Sequence, residues 1–144
     1  MQAHTVTLPN GYTITDDRAR MDMEFVHASL AQVYWAVERP RAVTERSFAH
    51  CLCFGVYAPA QQVGFARLLT DYALRAHLGD VFILPEARGA GLGKALVAAI
   101  LAHPELTTVQ NWTLTTADAH GLYARFGFRA DTADPRWMTL DRES

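Results

Sequence analysis

Residues 81–101 limit the folds open to this chain more than any other segment. Residues 81–84 form a continuous apolar run, which is typical of a strand buried on both faces. Pro85 ends that run because proline cannot donate a hydrogen bond to a strand ladder. Apolar residues then recur at helical spacing, at Leu92, Ala95, Leu96, Ala99 and Ile100. The segment therefore predicts a strand, a tight loop and a helix.

The predicted loop carries glycine at alternate positions, at Gly89, Gly91 and Gly93. Glycine accepts a positive φ and lets another group approach the backbone closely. Unpaired N–H groups and the positive end of the dipole meet at a helix N-terminus, which favours anions. Arg88 and Lys94 add positive charge beside it. The loop therefore predicts a phosphate site, and its alternative interpretation is a glycine-rich turn that only allows a tight corner.

Two familiar phosphate motifs do not fit this loop. A Walker A loop needs glycine five residues before Gly93, where the chain has Arg88, and Ser or Thr after Lys94, where it has Ala95. The dinucleotide fingerprint reads G-x-G-x-x-G, whereas this loop reads G-x-G-x-G. The missing Walker residues therefore weaken a third functional hypothesis, a phosphate-loop nucleotide binder.

Composition predicts one domain that comprises residues 1–144, because 144 residues with 50% hydrophobic content suffice for a substantial core. The net charge of −2 lacks the basic excess typical of nucleic-acid binders. We also expect no membrane partner, since no apolar run is long enough to span a bilayer. The six histidines show no zinc-ligand spacing, so no metal is expected. Cys51 and Cys53 suit small core residues in a reducing cytoplasm.

The order of predicted elements indicates an α/β (α+β) fold. The predicted strands are residues 5–8, 12–15, 52–57, 63–70, 77–84, 109–116, 128–130 and 136–140, and the predicted helices are 21–37, 44–50, 92–101 and 119–126. Hairpins in one half and a strand–helix–strand crossover in the other predict a central mixed, mostly antiparallel sheet with helices on both faces.

Two segments of the chain resemble the GNAT superfamily of N-acetyltransferases. The loop is similar to that family's acetyl-coenzyme A loop, Arg/Gln-x-x-Gly-x-Gly/Ala after an apolar strand. The segment 119–128 is similar to the family's Ala-x-x-Leu-Tyr-x-x-x-Gly-Phe. The matching residues are Arg88, Gly91 and Gly93 in the first segment and Ala119, Leu122, Tyr123, Gly127 and Phe128 in the second. The predicted order of elements also resembles the GNAT fold.

The resemblance implies acetyl-coenzyme A as cofactor and a role for each matching segment. The pyrophosphate would be bound by Arg88, Gly89, Ala90, Gly91, Leu92, Gly93 and Lys94. The backbone of Val81, Phe82 and Ile83 would contact the acetyl and pantetheine parts. Tyr123 would reach the sulfur, bind there and protonate the leaving thiolate as general acid. Many relatives have asparagine seven residues before this tyrosine, where this chain has Thr116.

The general base and the acceptor pocket are less well determined by the sequence. Asp80 is the best base candidate, because apolar neighbours could raise the pKa of its carboxyl group. A carboxylate that caps a turn or pairs with an arginine explains Asp80 equally well. Tyr34, Trp35 and Tyr72 are the candidates for acceptor binding, although aromatic residues at helical spacing are more often core residues.

We therefore predict an N-acetyltransferase that moves an acetyl group from acetyl-coenzyme A directly to a primary amine in a ternary complex. The acceptor could be a small molecule or a peptide, and the mildly acidic charge favours a small cationic amine. A homodimer is common among relatives. The alternative function is a non-catalytic acyl-coenzyme A binding or sensing module, which the presence of Tyr123 disfavours.

Overall fold

The structure, a computed structural model, describes residues 2–33, 36 and 38–142. The strands in this part of the chain are β1 (Thr5–Thr7), β2 (Thr13–Thr15), β3 (Leu52–Tyr57), β4 (Gln62–Thr70), β5 (Arg75–Ile83), β6 (Asn111–Thr115), β7 (Arg129–Ala130) and β8 (Trp137–Asp141). Its α-helices are α1 (Met23–Leu30), α2 (Arg41–Ala49), α3 (Leu92–Leu101) and α4 (His120–Ala124).

The strands form a single mixed sheet in the order β1-β2-β3-β4-β5-β6-β8-β7. β5 and β6 are parallel, and every other pair of neighbours within the described residues is antiparallel. The helix α3 makes the crossover that joins β5 to β6, as parallel neighbours require. The predicted fold class, a mixed and mostly antiparallel sheet, is confirmed.

Two hydrophobic cores lie on opposite faces of the sheet. The larger contains Leu96 and Ile100 of α3 together with Trp112, and the smaller contains Val26 of α1 and Phe48 of α2. Successive residues of a strand point to opposite faces. Phe82 therefore enters the smaller core while Ile83 enters the larger one, which explains the continuous apolar run at the end of β5. Helices on both faces are confirmed.

A bulge in β5 opens the sheet beside β6. Phe82 pairs with Phe65 and Gly79 pairs with Arg67, so two residues of β5 lie opposite one residue of β4. Asp80, inside this bulge, has φ of 51°, in the left-handed region. The pairing of β5 with β6 ends at Leu78, although β5 continues to Ile83. One backbone edge of residues 79–83 therefore has no neighbouring strand among the described residues.

The first two helices differ from their predicted bounds. The predicted helix 21–37 is too long, because α1 ends at Leu30 and is followed by turns. The second helix was predicted to begin at Thr44, but it begins earlier, at Arg41, with Pro40 at the N-cap. Proline suits this position because its fixed φ does not disturb the first turn. Thr44 is buried within α2 instead.

The fourth helix is also shorter than predicted, since it begins at His120 rather than Ala119 and ends at Ala124. Ala119 is the N-cap residue of α4, and the Thr116 hydroxyl accepts the Ala119 N–H at 3.0 Å. Of the helices in the described ranges, none combines the length and apolar character needed to cross a bilayer.

Candidate active site

The glycine loop leads into α3 without a side-chain cap. Gly89 has φ of 91° and Gly91, the N-cap residue of α3, has φ of 74°. The space around both glycines is open, so the backbone angle rather than close packing favours glycine there. No side chain in the described ranges caps the first turn of α3. Its leading N–H groups are therefore available to an anion.

Arg88 is anchored beside the end of β5. Its Nε donates to the Ile83 carbonyl at 3.0 Å, and its guanidinium carbon lies 5.9 Å from the centroid of the Phe82 ring. The residue is exposed, as is Lys94 in the first turn of α3. Two positive side chains thus flank the uncapped helix N-terminus, an arrangement suited to a pyrophosphate.

The start of α3 packs against α4, which carries Tyr123. A methyl group at Gly93 would lie 3.7 Å from Cδ2 of Leu122, an ordinary contact. Tyr123 is 6% exposed, and its ring meets that of Phe128 edge to face at 5.9 Å between centroids. Burial, with a smaller contribution from the Asp118 charge, raises the pKa of Tyr123 to about 12. Its hydroxyl therefore stays protonated at neutral pH.

A cavity of about 510 Å³ lies where β5 and β6 diverge. Its lining includes Asp80, Val81 and Tyr123, so these three predicted site residues meet at one place. Thr116 also lines the cavity, with its hydroxyl engaged by the Ala119 N–H. Residues 88–94, the loop and the first turn of α3, do not line the cavity, and they adjoin this region through the contact between α3 and α4.

Asp80 is held by two arginines. Arg39 donates from both Nη atoms to the two carboxylate oxygens at 2.8 Å, and Nε of Arg67 donates to Oδ2 at 3.0 Å. Burial would raise the pKa of Asp80, but the Arg39 hydrogen bonds and the Arg67 charge outweigh burial and lower it. The expected raised pKa is therefore wrong, and the structure shows the arginine pairing that the sequence left as an alternative.

His77 is another titratable residue that lines the cavity. Its Nδ1 lies 2.8 Å from the Thr113 hydroxyl oxygen, and its ring lies 5.5 Å from that of Trp137, measured between centroids. Burial, with a smaller effect from the Arg67 charge, lowers the pKa of His77 below 6.5. The imidazole is therefore mainly neutral at pH 7 and can accept a proton.

Other predicted site residues lie elsewhere. The side chain of Phe82 stacks on Phe65 at 5.5 Å between centroids, which leaves its backbone as the part available to a ligand. Tyr72 has φ of 63° in the turn before β5, at the end of that strand away from the bulge, and it does not line the cavity. Tyr34 and Trp35, like Val37 of the predicted first helix, lie outside the described residues.

Three further residues line the cavity although the sequence did not predict them as site residues: Arg39, Arg67 and Trp137. Arg67 had a usable signal, because a charge inside an otherwise apolar strand needs a partner when buried. Arg39 had none, since it stands next to Pro40 among polar residues and meets Asp80 only through the fold.

The family model described as "Acetyltransferase (GNAT) domain" matches residues 49–130, more than half of the chain. The chain belongs to the GNAT acetyltransferase family. A crystal structure of a protein from Xanthomonas campestris pv. campestris, assigned to the GNAT family, is 43% identical. The alignment covers 92% of this chain and 87% of that one, with a TM-score of 0.77.

Two further comparisons agree with this GNAT assignment. A protein from Gibberella zeae, named as an acetyltransferase, is 28% identical over 76% of this chain and 74% of its own length. A GNAT protein from Elizabethkingia anophelis, solved with acetyl-CoA bound, shares the fold with a TM-score of 0.69 at 11% identity, covering 92% of this chain and 99% of that chain. Against five other curated relatives, the chain spans between 27% and 43% of their length.

Proposed function

We propose that this GNAT protein transfers an acetyl group from acetyl-coenzyme A to a primary amine by direct attack in a ternary complex. The observation that carries the proposal is the cavity between β5 and β6, whose lining includes both Tyr123 and residues 79–81 of β5. A neutral imidazole, His77, lines the same cavity. One space thus contains a proton donor, a proton acceptor and backbone groups that could orient a thioester.

The residues present fit acetyl-coenzyme A. The uncapped N-terminus of α3, with Arg88 and Lys94, suits the pyrophosphate. The backbone edge of residues 79–83 that has no partner strand offers N–H and C=O groups to the pantetheine amides, apart from the Ile83 carbonyl that accepts from Arg88. The acetyl-CoA in the structure of the Elizabethkingia anophelis relative supports the same assignment. Acetyl-coenzyme A, when bound, supplies an activated acetyl thioester.

Tyr123 is proposed as the general acid. Its phenol is protonated throughout the physiological range, because burial raises its pKa to about 12. The cavity around Tyr123 would also shield a departing thiolate from water, which would raise the pKa of the thiol and favour proton transfer from the phenol. No described residue accepts a hydrogen bond from the Tyr123 hydroxyl, so its proton is available to the sulfur.

We assign the proton-accepting role to His77 rather than to Asp80. A base must be unprotonated and must retain affinity for a proton. The pKa of Asp80 is lowered by its arginine partners, so its carboxylate has little such affinity. Asp80 is instead proposed to hold Arg39 and Arg67 in place. Its substitution would then act through these arginines.

Melting temperatures with and without acetyl-coenzyme A test the cofactor. At about a hundred times its dissociation constant, a ligand stabilises the native state by roughly 2.7 kcal/mol, or several degrees for a domain of this size. We expect Arg88→Glu to abolish this shift. Arg46→Glu is the matched control, because Arg46 is exposed on α2 and has no ion pair in the described residues.

Thiol release in a panel of amines then tests turnover. Release that depends on an added amine supports acetyl transfer. A shift with acetyl-coenzyme A but no release with any amine would instead identify the non-catalytic binding or sensing module. No shift for the wild type would contradict both functions.

A further inference from the structure

The arginine side of the cavity carries more positive than negative charge. Arg39 and Arg67 share the single carboxylate of Asp80, whose lowered pKa keeps it ionised. The side chains of Arg39 and Arg67 are 21% and 19% exposed, and that of Asp80 is 2% exposed. Two cations and one anion leave this group, called here the arginine cluster, with one surplus positive charge.

Arg67 has hydrogen-bond donors that Asp80 does not occupy. Its Nε is paired with Asp80, whereas Nη1 has only a weak contact with the Cys51 sulfur at 3.9 Å. Its Nη2 lies against Gly79, where a methyl group would be 2.8 Å away. Within the described residues, Nη2 has no hydrogen-bond acceptor. A half-buried guanidinium with an unused donor favours an oxygen anion in the adjoining space.

Within the described residues, the other charged residues that line the cavity form no ion pair with the arginine cluster. Arg136 is exposed and paired with Asp134 at 3.0 Å. Asp118 lies on the side of Tyr123, where its charge acts on the phenol. His77, next to Arg67, is neutral at pH 7. An anionic group is therefore favoured at the arginine cluster, while the amine must face His77 and the thioester.

We propose that the acceptor is a small amine that also carries a carboxylate, such as a free amino acid, with the carboxylate bound by Arg67. This inference rests on the proposed acetyltransferase function and names its substrate class. Arginine suits the task because its planar guanidinium binds carboxylates with directed hydrogen bonds. The small cationic amine favoured by the overall charge is thereby replaced by a zwitterion, because the arginine cluster beside the cavity has a surplus positive charge.

Matched acceptor pairs test the proposal by removing only the carboxylate charge. The pairs are glycine and glycinamide, β-alanine and β-alaninamide, 4-aminobutyrate and 4-aminobutyramide, and lysine and lysinamide. For at least one pair, kcat/KM should be about ten- to a hundredfold higher for the carboxylate, the range for a hydrogen bond to a charged group. Equal or higher values for every amide would overturn the substrate class and leave the acetyltransferase function intact.

Substitutions at the arginine cluster test whether Arg67 causes the preference for the carboxylate over the amide. Arg67→Gln should reduce the carboxylate-to-amide ratio of kcat/KM towards one. Gly79→Ala is a second variant that keeps both arginines, and its methyl group would displace Nη2 from the cavity wall. Arg136→Gln is the matched control, because it removes an arginine that lines the same cavity but is paired outside it. An unchanged ratio in both Arg67→Gln and Gly79→Ala would overturn the assignment.

Binding provides a readout that does not depend on turnover. Calorimetry in the presence of coenzyme A compares each amino acid with its amide on the wild-type protein. Tighter binding of the carboxylate, lost in Gly79→Ala, supports the proposal. If no amine is acetylated, only the catalytic function is contradicted. Equal binding of both members in every pair overturns the proposal.

Discussion

Tyr123 is buried, and its hydroxyl has no hydrogen-bond acceptor among the described residues. We predict that Tyr123→Phe lowers kcat by roughly 10²- to 10⁴-fold, the usual contribution of a general acid. The phenylalanine ring retains the edge contact with Phe128, so the melting temperature and its shift with acetyl-coenzyme A should be unchanged. Steady-state kinetics and thermal melting together measure both effects.

Tyr72→Phe is the control for this prediction, because Tyr72 lies outside the cavity in the turn before β5. It should leave kcat and KM unaltered. A Tyr123→Phe enzyme with wild-type kcat would remove the acid assignment, and a Tyr72→Phe enzyme with a raised acceptor KM would restore the role predicted for Tyr72 from the sequence.

The lowered pKa of His77 predicts an acidic limb in the pH–rate profile. Its pKa is lowered below 6.5 by burial and by Arg67, and its neutral form is the base. The value of kcat/KM should therefore rise with pH through that lowered pKa and be nearly level by pH 7. His77→Gln should remove this limb and reduce the rate while keeping a polar group near Thr113. A limb that persists in His77→Gln would assign the base to another group.

The two glycines at the start of α3 differ in backbone conformation. Gly91 has a positive φ at the N-cap, whereas Gly93 lies in the first turn of the helix without one. Gly91→Ala should therefore destabilise the free protein by about 1–2 kcal/mol. Gly93→Ala should stabilise it by about 0.5–1 kcal/mol, because glycine is the poorer helix former and the added methyl meets Leu122 at an ordinary distance.

Chemical denaturation of the two variants checks these opposite signs, and titration with acetyl-coenzyme A separates stability from binding. We expect Gly93→Ala to bind acetyl-coenzyme A more weakly despite its greater stability, since its methyl group adjoins the free N–H groups of α3. Wild-type affinity in Gly93→Ala would place the pyrophosphate elsewhere.

The Asp80 ion pairs connect three segments that are distant from one another in the sequence. Arg39 precedes α2, Arg67 belongs to β4 and Asp80 forms the bulge of β5. Asp80→Asn leaves two half-buried arginines without their anion, and asparagine tolerates the left-handed backbone angle, so the change isolates the charge. We predict a loss of about 3 kcal/mol in the free energy of unfolding at pH 7.

The pH dependence of this loss follows from the lowered pKa of Asp80. The ion pairs stabilise the folded state above the unfolded pKa, near 3.8, and this contribution is lost as the pH falls through the lower folded pKa. The difference between wild type and Asp80→Asn should therefore be full at neutral pH and shrink below about pH 4. Asp134→Asn, at an exposed ion pair, should show no comparable difference. Equal unfolding curves for wild type and Asp80→Asn would refute the structural role.

The sequence predicted the elements around the site because their signals are local. Proline after a buried apolar run, glycines that accept positive φ and apolar residues at helical spacing determine strand, loop and helix from neighbours in the chain. The pattern around Tyr123 was equally local. Helix ends were predicted less well, since turns after Leu30 and the start at Arg41 depend on weak capping preferences.

By itself, the sequence of this GNAT protein determined the family, the fold class and the loop that leads into α3. The tertiary structure decided the environment of the site, because that environment arises from residues far apart in the chain. Arg39 reaches Asp80 across 41 positions and inverts the expected pKa shift, and the bulge at Asp80 opens the edge of β5. Charge and solvation at such a site depend on the three-dimensional neighbours of each group, which local patterns do not encode.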